Sequence, residues 1–495
     1  MKNNNNDLAF IFGLLLIAFV LRLYAFFNTP VINHDGVLYI NQARAIVNND
    51  WGLAKQCGYD FISLYHLLIP PFYKIFGDWI LAAQSISFIF GTCAVIPFYF
   101  TLRHFFQAQT SFIASLAFAV NPFFVSYSVE LVKDPIFWFF ALLGIFFFIA
   151  ALKREKKLYF LLFSTLSFLI AGFARFEILM YFIGSLLFII LFEEKKTKKI
   201  LLFSAPIIIL VVLVNVLNAY LLKETLYLWT FYFLPRTHRF FHDLIGSLLT
   251  PDILEKSFLA LKLLLYGMVK VLYVPFIPLF LISFMNFRKD MKRDRYFWYF
   301  IFLSLLSLIA LYFFYVKIRV LSPRYTVFFI LPSFIFICFG IEKIMFFLTK
   351  RGLQEKAVFL LICLYVMTSV LVTPSTLIPR TTDKVVYKMA GEYIATLEGN
   401  SNTVIMSPDS RIMFYANLHS PVIECGNQLV RYDSLLALRY DDLVSALKGN
   451  RINYFVWEAK AWKNAGYAFP QAAQAKDFRE LKRWEEEQLI LYRVL

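Results

Sequence analysis

Residues 158–192 read LYFLLFSTLSFLIAGFARFEILMYFIGSLLFIILF, 35 residues whose only charges are Arg175 and Glu177. The stretch is preceded by Lys153-Arg154-Glu155-Lys156-Lys157 and followed by Lys195-Lys196-Thr197-Lys198-Lys199. Short basic clusters between apolar runs stay on the cytoplasmic side of a membrane. With a cluster at each end, the stretch between them crosses an even number of times. A single span takes about 20 residues, so residues 158–192 are predicted to form two short helices that turn at Arg175-Phe176-Glu177 on the outer side.

The same parity applies along the chain. Further basic clusters lie at residues 288–295 and 343–356. Residues 110–152 are predicted to break at Asn121-Pro122, where proline disfavours helix continuation. Residues 200–285 divide around a polar loop near 223–257, and residues 297–341 divide around 317–325. With 8–27, 79–101 and 357–372, this makes about eleven transmembrane helices, with the N-terminus cytoplasmic and the C-terminal region extracytoplasmic. Residues 8–20 would pass for the apolar core of a signal peptide. Little charge precedes them and no small-residue cleavage pattern follows, so 8–27 reads as an uncleaved helix.

Composition agrees. Of 495 residues 60% are apolar and only 17% charged, too few charges to clothe several soluble domains. The net charge of +16 is concentrated in residues 1–373, which hold 34 Lys/Arg against 19 Asp/Glu; residues 374–495 are nearly balanced, at 15 against 14. The excess sits in short clusters between apolar runs, which points to membrane orientation or phosphate handling and away from nucleic acid. Five cysteines show no paired metal or redox spacing. Cys93, Cys338 and Cys363 lie in apolar runs as packing residues, whereas Cys57 and Cys425 fall in outer pieces and are free to form a bridge there.

The predicted fold is mainly α, a polytopic membrane helical bundle in residues 1–373 with a small extracytoplasmic α/β domain in 374–495. Two outer pieces stand out. Residues 28–78 form a large first loop. In the C-terminal region, residues 384–397 and 441–448 have helical spacing, while 403–406 and 454–457 read as short strands.

Polar groups held at the membrane surface between helices are costly unless used or paired. The first loop opens with Asn33-His34-Asp35-Gly36-Val37-Leu38-Tyr39, followed by Arg44. Asp35 has two readings: a general base at the mouth of the bundle, or the N-cap of a helix over 36–47. The second outer group is Ser128-Val129-Glu130-Leu131-Val132-Lys133-Asp134-Pro135, where Asp134 is either a helix-start residue or an acid of the site, and Lys133 either neutralises phosphate or pairs with a carboxylate. Arg175 and Glu177 form a third group. Further outer cations are Arg236, Arg239, Lys317, Arg319 and Arg324, with His66, His238 and His242. Such a set suits a lipid-linked phosphate, which arginine contacts bidentately, or anionic headgroups. His238 and His242 are a lone i,i+4 pair, and no glycine-rich phosphate loop is present.

Taken in order, several short motifs resemble the GT-C superfamily of integral-membrane glycosyltransferases, including dolichyl-phosphate-mannose protein mannosyltransferases and the aminoarabinose transferases of lipid A. They are Leu21-Arg22-Leu23, then Asp35 and Tyr39 before Ala43-Arg44; Phe72-Tyr73-Lys74-Ile75-Phe76-Gly77-Asp78; Ala119-Val120-Asn121-Pro122; Gly172-Phe173-Ala174-Arg175-Phe176-Glu177; and Pro323-Arg324-Tyr325. The resemblance implies inverting transfer of a sugar from a polyprenyl-phosphate carrier to a lipid, glycan or protein acceptor outside the cytoplasm. It makes Asp35 the base and Asp134 a second catalytic acid. Arg175 and Arg324 become cations toward the carrier phosphate, and Tyr39, Arg44, His66, Glu130, Lys133, Glu177, Arg239 and Tyr325 line the substrates. It is compatible with a divalent cation, although no cofactor follows from the residues themselves. Gly36 stands where many relatives carry a second acid, and Ser63-Leu64-Tyr65-His66 stands where they carry His-Pro-Pro. A transporter or flippase for a lipid-linked glycan is the alternative; it calls for inverted repeats or charges deep within helices, neither of which is evident.

Overall fold

In a computed structural model, the described residues are 4–57, 62–153, 157–220, 242, 246, 253–285, 287–318, 322–380, 384–399, 402–423, 432–463, 465 and 467–495. They are mainly helical. The helices are α1 (Asn4–Phe27), α2 (His34–Val47), α3 (Trp51–Gln56), α4 (Leu64–Phe76), α5 (Trp79–Cys93), α6 (Val95–Arg103), α7 (Ala108–Val120), α8 (Pro122–Tyr127) and α9 (Asp134–Lys153). Next come α10 (Phe160–Ala174), α11 (Leu179–Phe192), α12 (Lys196–Tyr220), α13 (Ile253–Leu272), α14 (Ile277–Ile282), α15 (Phe287–Arg293), α16 (Phe297–Ile318), α17 (Val327–Ser333), α18 (Phe336–Lys350) and α19 (Glu355–Leu371). The chain forms two compact units. The first holds Met1–Phe27, Ser63–Tyr65 and Gln84–Pro379; the second holds Asn28–Ile62, His66–Ala83 and Arg380–Leu495.

Every apolar run expected to cross is helical. Four helical stretches are long and apolar enough to span singly: Asn6–Phe27, Trp79–Arg103, Asp134–Lys153 and Phe297–Val316. Two bent pairs, Leu254–Leu272 with Val274–Ile282 and Pro323–Ser333 with Phe336–Lys350, pass together, and Ala108–Val120, Phe160–Ala174 and Phe176–Phe192 are shorter. Large apolar side chains such as Leu8, Phe12, Leu254 and Phe258 are exposed on these helices. Patches of that kind belong against lipid, and the protein is an integral membrane protein.

The basic clusters meet. Lys153 pairs with Asp294 at 2.5 Å, Arg295 with Glu193 at 3.2 Å, Lys199 with Glu193 at 2.5 Å and Lys343 with Asp290 at 2.6 Å. All four clusters therefore lie at one end of the first unit. Asp134 and Lys153 are the two ends of α9, about 30 Å apart at 1.5 Å per residue, so Asp134 and its partners occupy the other end. Close packing holds the bundle together. Ser164 Oγ on α10 donates to the Gly144 carbonyl on α9 at 2.8 Å. A Cβ on Gly340 of α18 would stand 1.9 Å from the Leu279 carbonyl oxygen of α14, so only glycine permits that approach. Asn121 is buried; its Oδ1 caps α8 through Phe123 N–H at 2.9 Å, while its Nδ2 donates to the Val271 carbonyl at 2.9 Å.

The second unit adds α20 (Val385–Glu398), β1 (Ile405–Met406), α21 (Ser410–Ala416), α22 (Tyr432–Leu435), α23 (Tyr440–Gly449), β2 (Tyr454–Glu458), α24 (Phe469–Ala472), β3 (Phe478–Trp484) and β4 (Leu489–Val494). The sheet order is β1-β2-β4-β3, with β1 and β2 parallel and the other neighbours antiparallel. Alternation along the strands builds a core on each face. Tyr454, Val456, Leu489 and Leu491 join Val386 and Ile394 of α20 on one face; Phe455, Ile490 and Tyr492 join Leu443 and Leu447 of α23 on the other. Helices α20 and α23 and the first two strands fall where sequence spacing placed them, whereas α21, α22, α24, β3 and β4 are additions to the expected domain.

The first-loop residues are largely helical, as α2, α3 and α4, and they pack within this same unit. Ala45, Ala54 and Cys57 cluster with Ile423. Cys57 is disulfide-bonded and Cys93, Cys338 and Cys363 are free, while Cys425 lies outside the described residues.

Candidate functional site: an arginine between two carboxylates, and a first-turn aspartate

In the first unit, α10 ends when Arg175 turns to extended backbone (φ −146°, ψ 122°), and a 3-10 turn over Phe176–Ile178 leads into α11. That break sets the guanidinium between two acids. Nη1 donates to Asp134 Oδ1, and Nη2 donates to Glu177 Oε1 at 2.9 Å. The guanidinium carbon lies 4.6 Å from the Tyr325 ring centroid, a cation–π distance. Asp134, Arg175, Glu177, Arg324, Tyr325 and Trp138 line a small cavity together. Five sequence-predicted positions from three distant motifs thus converge.

Asp134 is at the first residue of α9 but serves Arg175, and it is 1% exposed. Glu130 and Lys133 border the cluster: Tyr127 feels the charges of Glu130, Arg324 and Asp134, and Glu177 feels that of Lys133. Burial, reinforced by Glu130, pushes the Tyr127 phenol up to about 12. Trp138 is a lining residue that the sequence did not signal, because its indole reads as one more aromatic in an apolar helix. Its Nε1 is buried without a hydrogen-bond partner. A second, almost wholly apolar cavity shares Glu177, Leu311, Tyr325 and Phe328 with the first and continues along Met180, Ala310 and Phe314.

The second unit carries Asp35, Tyr39, Arg44 and His66. Asn33 is the N-cap of α2, its Oδ1 accepting Gly36 N–H at 2.7 Å. The cap reading therefore passes from Asp35 to Asn33, and Asp35 stands half-buried in the first helical turn, near the positive end of the helix dipole. Tyr39 and His66 are buried edge to face, with centroids 4.9 Å apart. Arg44, in the last turn, donates to the backbone carbonyls of Ser420 at 2.5 Å and Asn417 at 3.5 Å. Arg236, His238, Arg239 and Arg319 lie outside the described residues. Among the described residues, no group of three or more His, Cys, Asp or Glu suits a metal ion, and Gly36 supplies no carboxylate beside Asp35.

A family model described as dolichyl-phosphate-mannose-protein mannosyltransferase matches residues 64–218. Among solved structures, ArnT from Cupriavidus metallidurans bound to undecaprenyl phosphate superposes with a TM-score of 0.57 at 12% identity, over 98% of this chain and 97% of that one. The chain has the GT-C fold. The archaeal oligosaccharyltransferase AglB from Archaeoglobus fulgidus, in complex with an inhibitory peptide and a dolichol-phosphate, superposes with a TM-score of 0.53 at 11% identity, over 92% of this chain and 69% of that one. No curated protein matches the sequence. The GT-C fold accounts for both the apolar bundle and the small sheet-bearing unit.

Proposed function

We propose that the protein is a membrane glycosyltransferase that moves a sugar from a polyprenyl-phosphate donor to a lipid, glycan or protein acceptor outside the cytoplasm. The observation that supports the reading is the position of Asp35: Asn33 caps α2, which places the Asp35 carboxylate in the first helical turn at the positive end of the helix dipole. The GT-C fold and the mannosyltransferase match support the same reaction class, and the solved relatives that hold undecaprenyl phosphate or dolichol-phosphate support the donor class.

In the proposed reaction the acceptor oxygen or nitrogen attacks the anomeric carbon from the face opposite the phosphate. The new glycosidic bond forms as the bond from that carbon to the phosphate oxygen breaks, so the configuration inverts. Asp35 takes the acceptor proton, a contribution on the order of 10²–10⁴-fold in rate. The departing polyprenyl phosphate gains negative charge, which Arg324 and Lys133 offset. Arg175 is held by Asp134 and Glu177 and fixes the geometry around that charge. The apolar cavity continuing from Glu177 and Tyr325 suits the prenyl chain beside its phosphate.

The proposed orientation places the N-terminus and the four basic clusters in the cytoplasm and the second unit outside, where the disulfide at Cys57 persists because that compartment is oxidising. The experiment that tests the reading is transfer from a panel of radiolabelled polyprenyl-phosphate sugars by purified wild type and Asp35→Asn, with membrane lipids and proteins as acceptors. Transfer by wild type that is lost in a normally folded Asp35→Asn protein is expected. Full activity in the variant would remove Asp35 from its role, and binding of a donor without transfer or hydrolysis by wild type would make carrier translocation the better reading.

A further inference from the structure

The second unit contains a polar cavity of about 240 Å³ at the far end of α2 from Asp35. Three pieces of chain line it: Arg44 and Asn48 from the end of α2; Tyr73 of α4 with Asp78 and Trp79 at the start of α5; and residues 418–421 with Ile423, including His419. We propose that this cavity binds an uncharged sugar ring of a glycan.

The chemistry of the lining selects this ligand class. Arg44 offers only donors, Asp78 only acceptors, and Asn48 both. A ring bearing several hydroxyls meets all three, since each hydroxyl donates and accepts. Arg44 is anchored by the Ser420 and Asn417 carbonyls, and its guanidinium has more N–H groups than those two acceptors occupy. Asp78 is likewise anchored: one carboxylate oxygen accepts Leu81 N–H at 2.7 Å and caps α5. Its side chain is thereby fixed before any ligand arrives, which lowers the entropy lost on binding. The charges of Arg44 and Asp78 offset one another, so the cavity favours neither a phosphate nor a cation.

One wall is aromatic. Tyr73 and Trp79 stack on each other with centroids 3.8 Å apart and planes 7° from parallel. Stacking holds each ring rigid and covers its inner face, and the outer face of such a ring is of the kind that receives the C–H face of a pyranose, while the polar residues take its hydroxyls. An interfacial aromatic belt accounts for a tryptophan at the start of a membrane helix; it does not account for an arginine, an asparagine and an aspartate gathered around the same cavity. Asp35 and Arg44 are nine residues apart on α2, about 13.5 Å along the axis. On the transferase reading this ring belongs to a multi-residue acceptor whose reacting end reaches Asp35.

The test is equilibrium dialysis of tritiated mannotriose, galactotriose and triacetylchitotriose against purified full-length protein in detergent, without donor, for wild type, His419→Ala and Asp78→Asn. The asparagine keeps a capping oxygen and removes the charge. Saturable binding of at least one trisaccharide below about 10 mM, weakened about tenfold or more in either variant, is expected. No saturable binding of any of the three, equal binding in all three proteins, or tighter binding of inorganic phosphate than of every trisaccharide overturns the proposal. Because no donor is present, the outcome is separate from the transferase assay: a protein that binds glycan without transferring sugar retains this site and loses the proposed reaction.

Discussion

The backbone N–H of Ile32 donates to the phenol oxygen of Tyr415 at 3.0 Å, tying the segment just before Asp35 to α21. Arg411, held by Asp409 at 2.8 Å, reaches the Ile32 carbonyl at 3.5 Å, and His34 approaches Asp409 at 3.4 Å. Residues 383 positions apart thus fix the entry to the helix that carries the proposed base. Tyr415→Phe leaves the buried Ile32 amide without its acceptor, a loss of about 1–3 kcal/mol. Chemical denaturation should show it, and sugar transfer should fall in kcat more than in donor KM.

The same phenol predicts a response to alkali. Burial raises the Tyr415 pKa to about 12, opposed by the Ile32 amide, whereas an unfolded tyrosine titrates near 10. Between those values the unfolded state has released a proton that the folded state keeps, so stability declines as pH rises from about 10 toward 12. Melting curves across that range should slope downward in wild type, and less steeply in Tyr415→Phe.

Asn33 and Asp35 should separate cleanly. Asn33→Ala removes the α2 cap at about 1 kcal/mol, and Asn33→Asp restores it. Asp35→Asn should leave the melting temperature close to that of wild type and abolish transfer. If Asn33→Asp also restored activity to Asp35→Asn, proton removal would not require position 35.

Much of the bundle was legible because charge punctuates it. The pairs Lys153–Asp294 and Lys343–Asp290 bring together clusters that parity alone had assigned to one side. Arg175 and Glu177 were visible as the lone charges of an apolar hairpin. What remained hidden depends on contacts between distant positions. Asp35 and Asn33 are equally good caps by type, and only the fold decides between them. Strand β3 reads Phe-Arg-Glu-Leu-Lys-Arg-Trp, an edge strand with a register shift between Glu480 and Lys482, so its polar run obscures a period of two. Tyr415 leaves no trace at all in the sequence, since its partner is a backbone amide.

Cys57 offers a test of compartment. Cys57 is disulfide-bonded and belongs to the second unit, and removing such a link from a small extracellular domain typically costs about 2–5 kcal/mol. Non-reducing peptide mapping should find Cys93, Cys338 and Cys363 alkylatable after denaturation and Cys57 protected until reduction. Recovery of Cys57 as a free thiol would withdraw this support for an extracytoplasmic second unit.

The Asp134–Arg175–Glu177 group separates structural from catalytic electrostatics. Removing one partner of a buried ion pair leaves an uncompensated charge, at about 3–5 kcal/mol. Asp134→Ala should therefore destabilise the protein by about that amount, tempered because Glu177 still faces Arg175 at 2.9 Å. Replacing both charges, in Asp134→Leu with Arg175→Met, removes the stranded cation and should recover much of the lost stability. It leaves Glu177 unpaired from Arg175, so a triple variant that also carries Glu177→Gln should be the most stable of the series. None of the three should transfer sugar, because the order around the departing phosphate is gone. Transfer near the wild-type rate in the triple variant would show that the group serves folding alone.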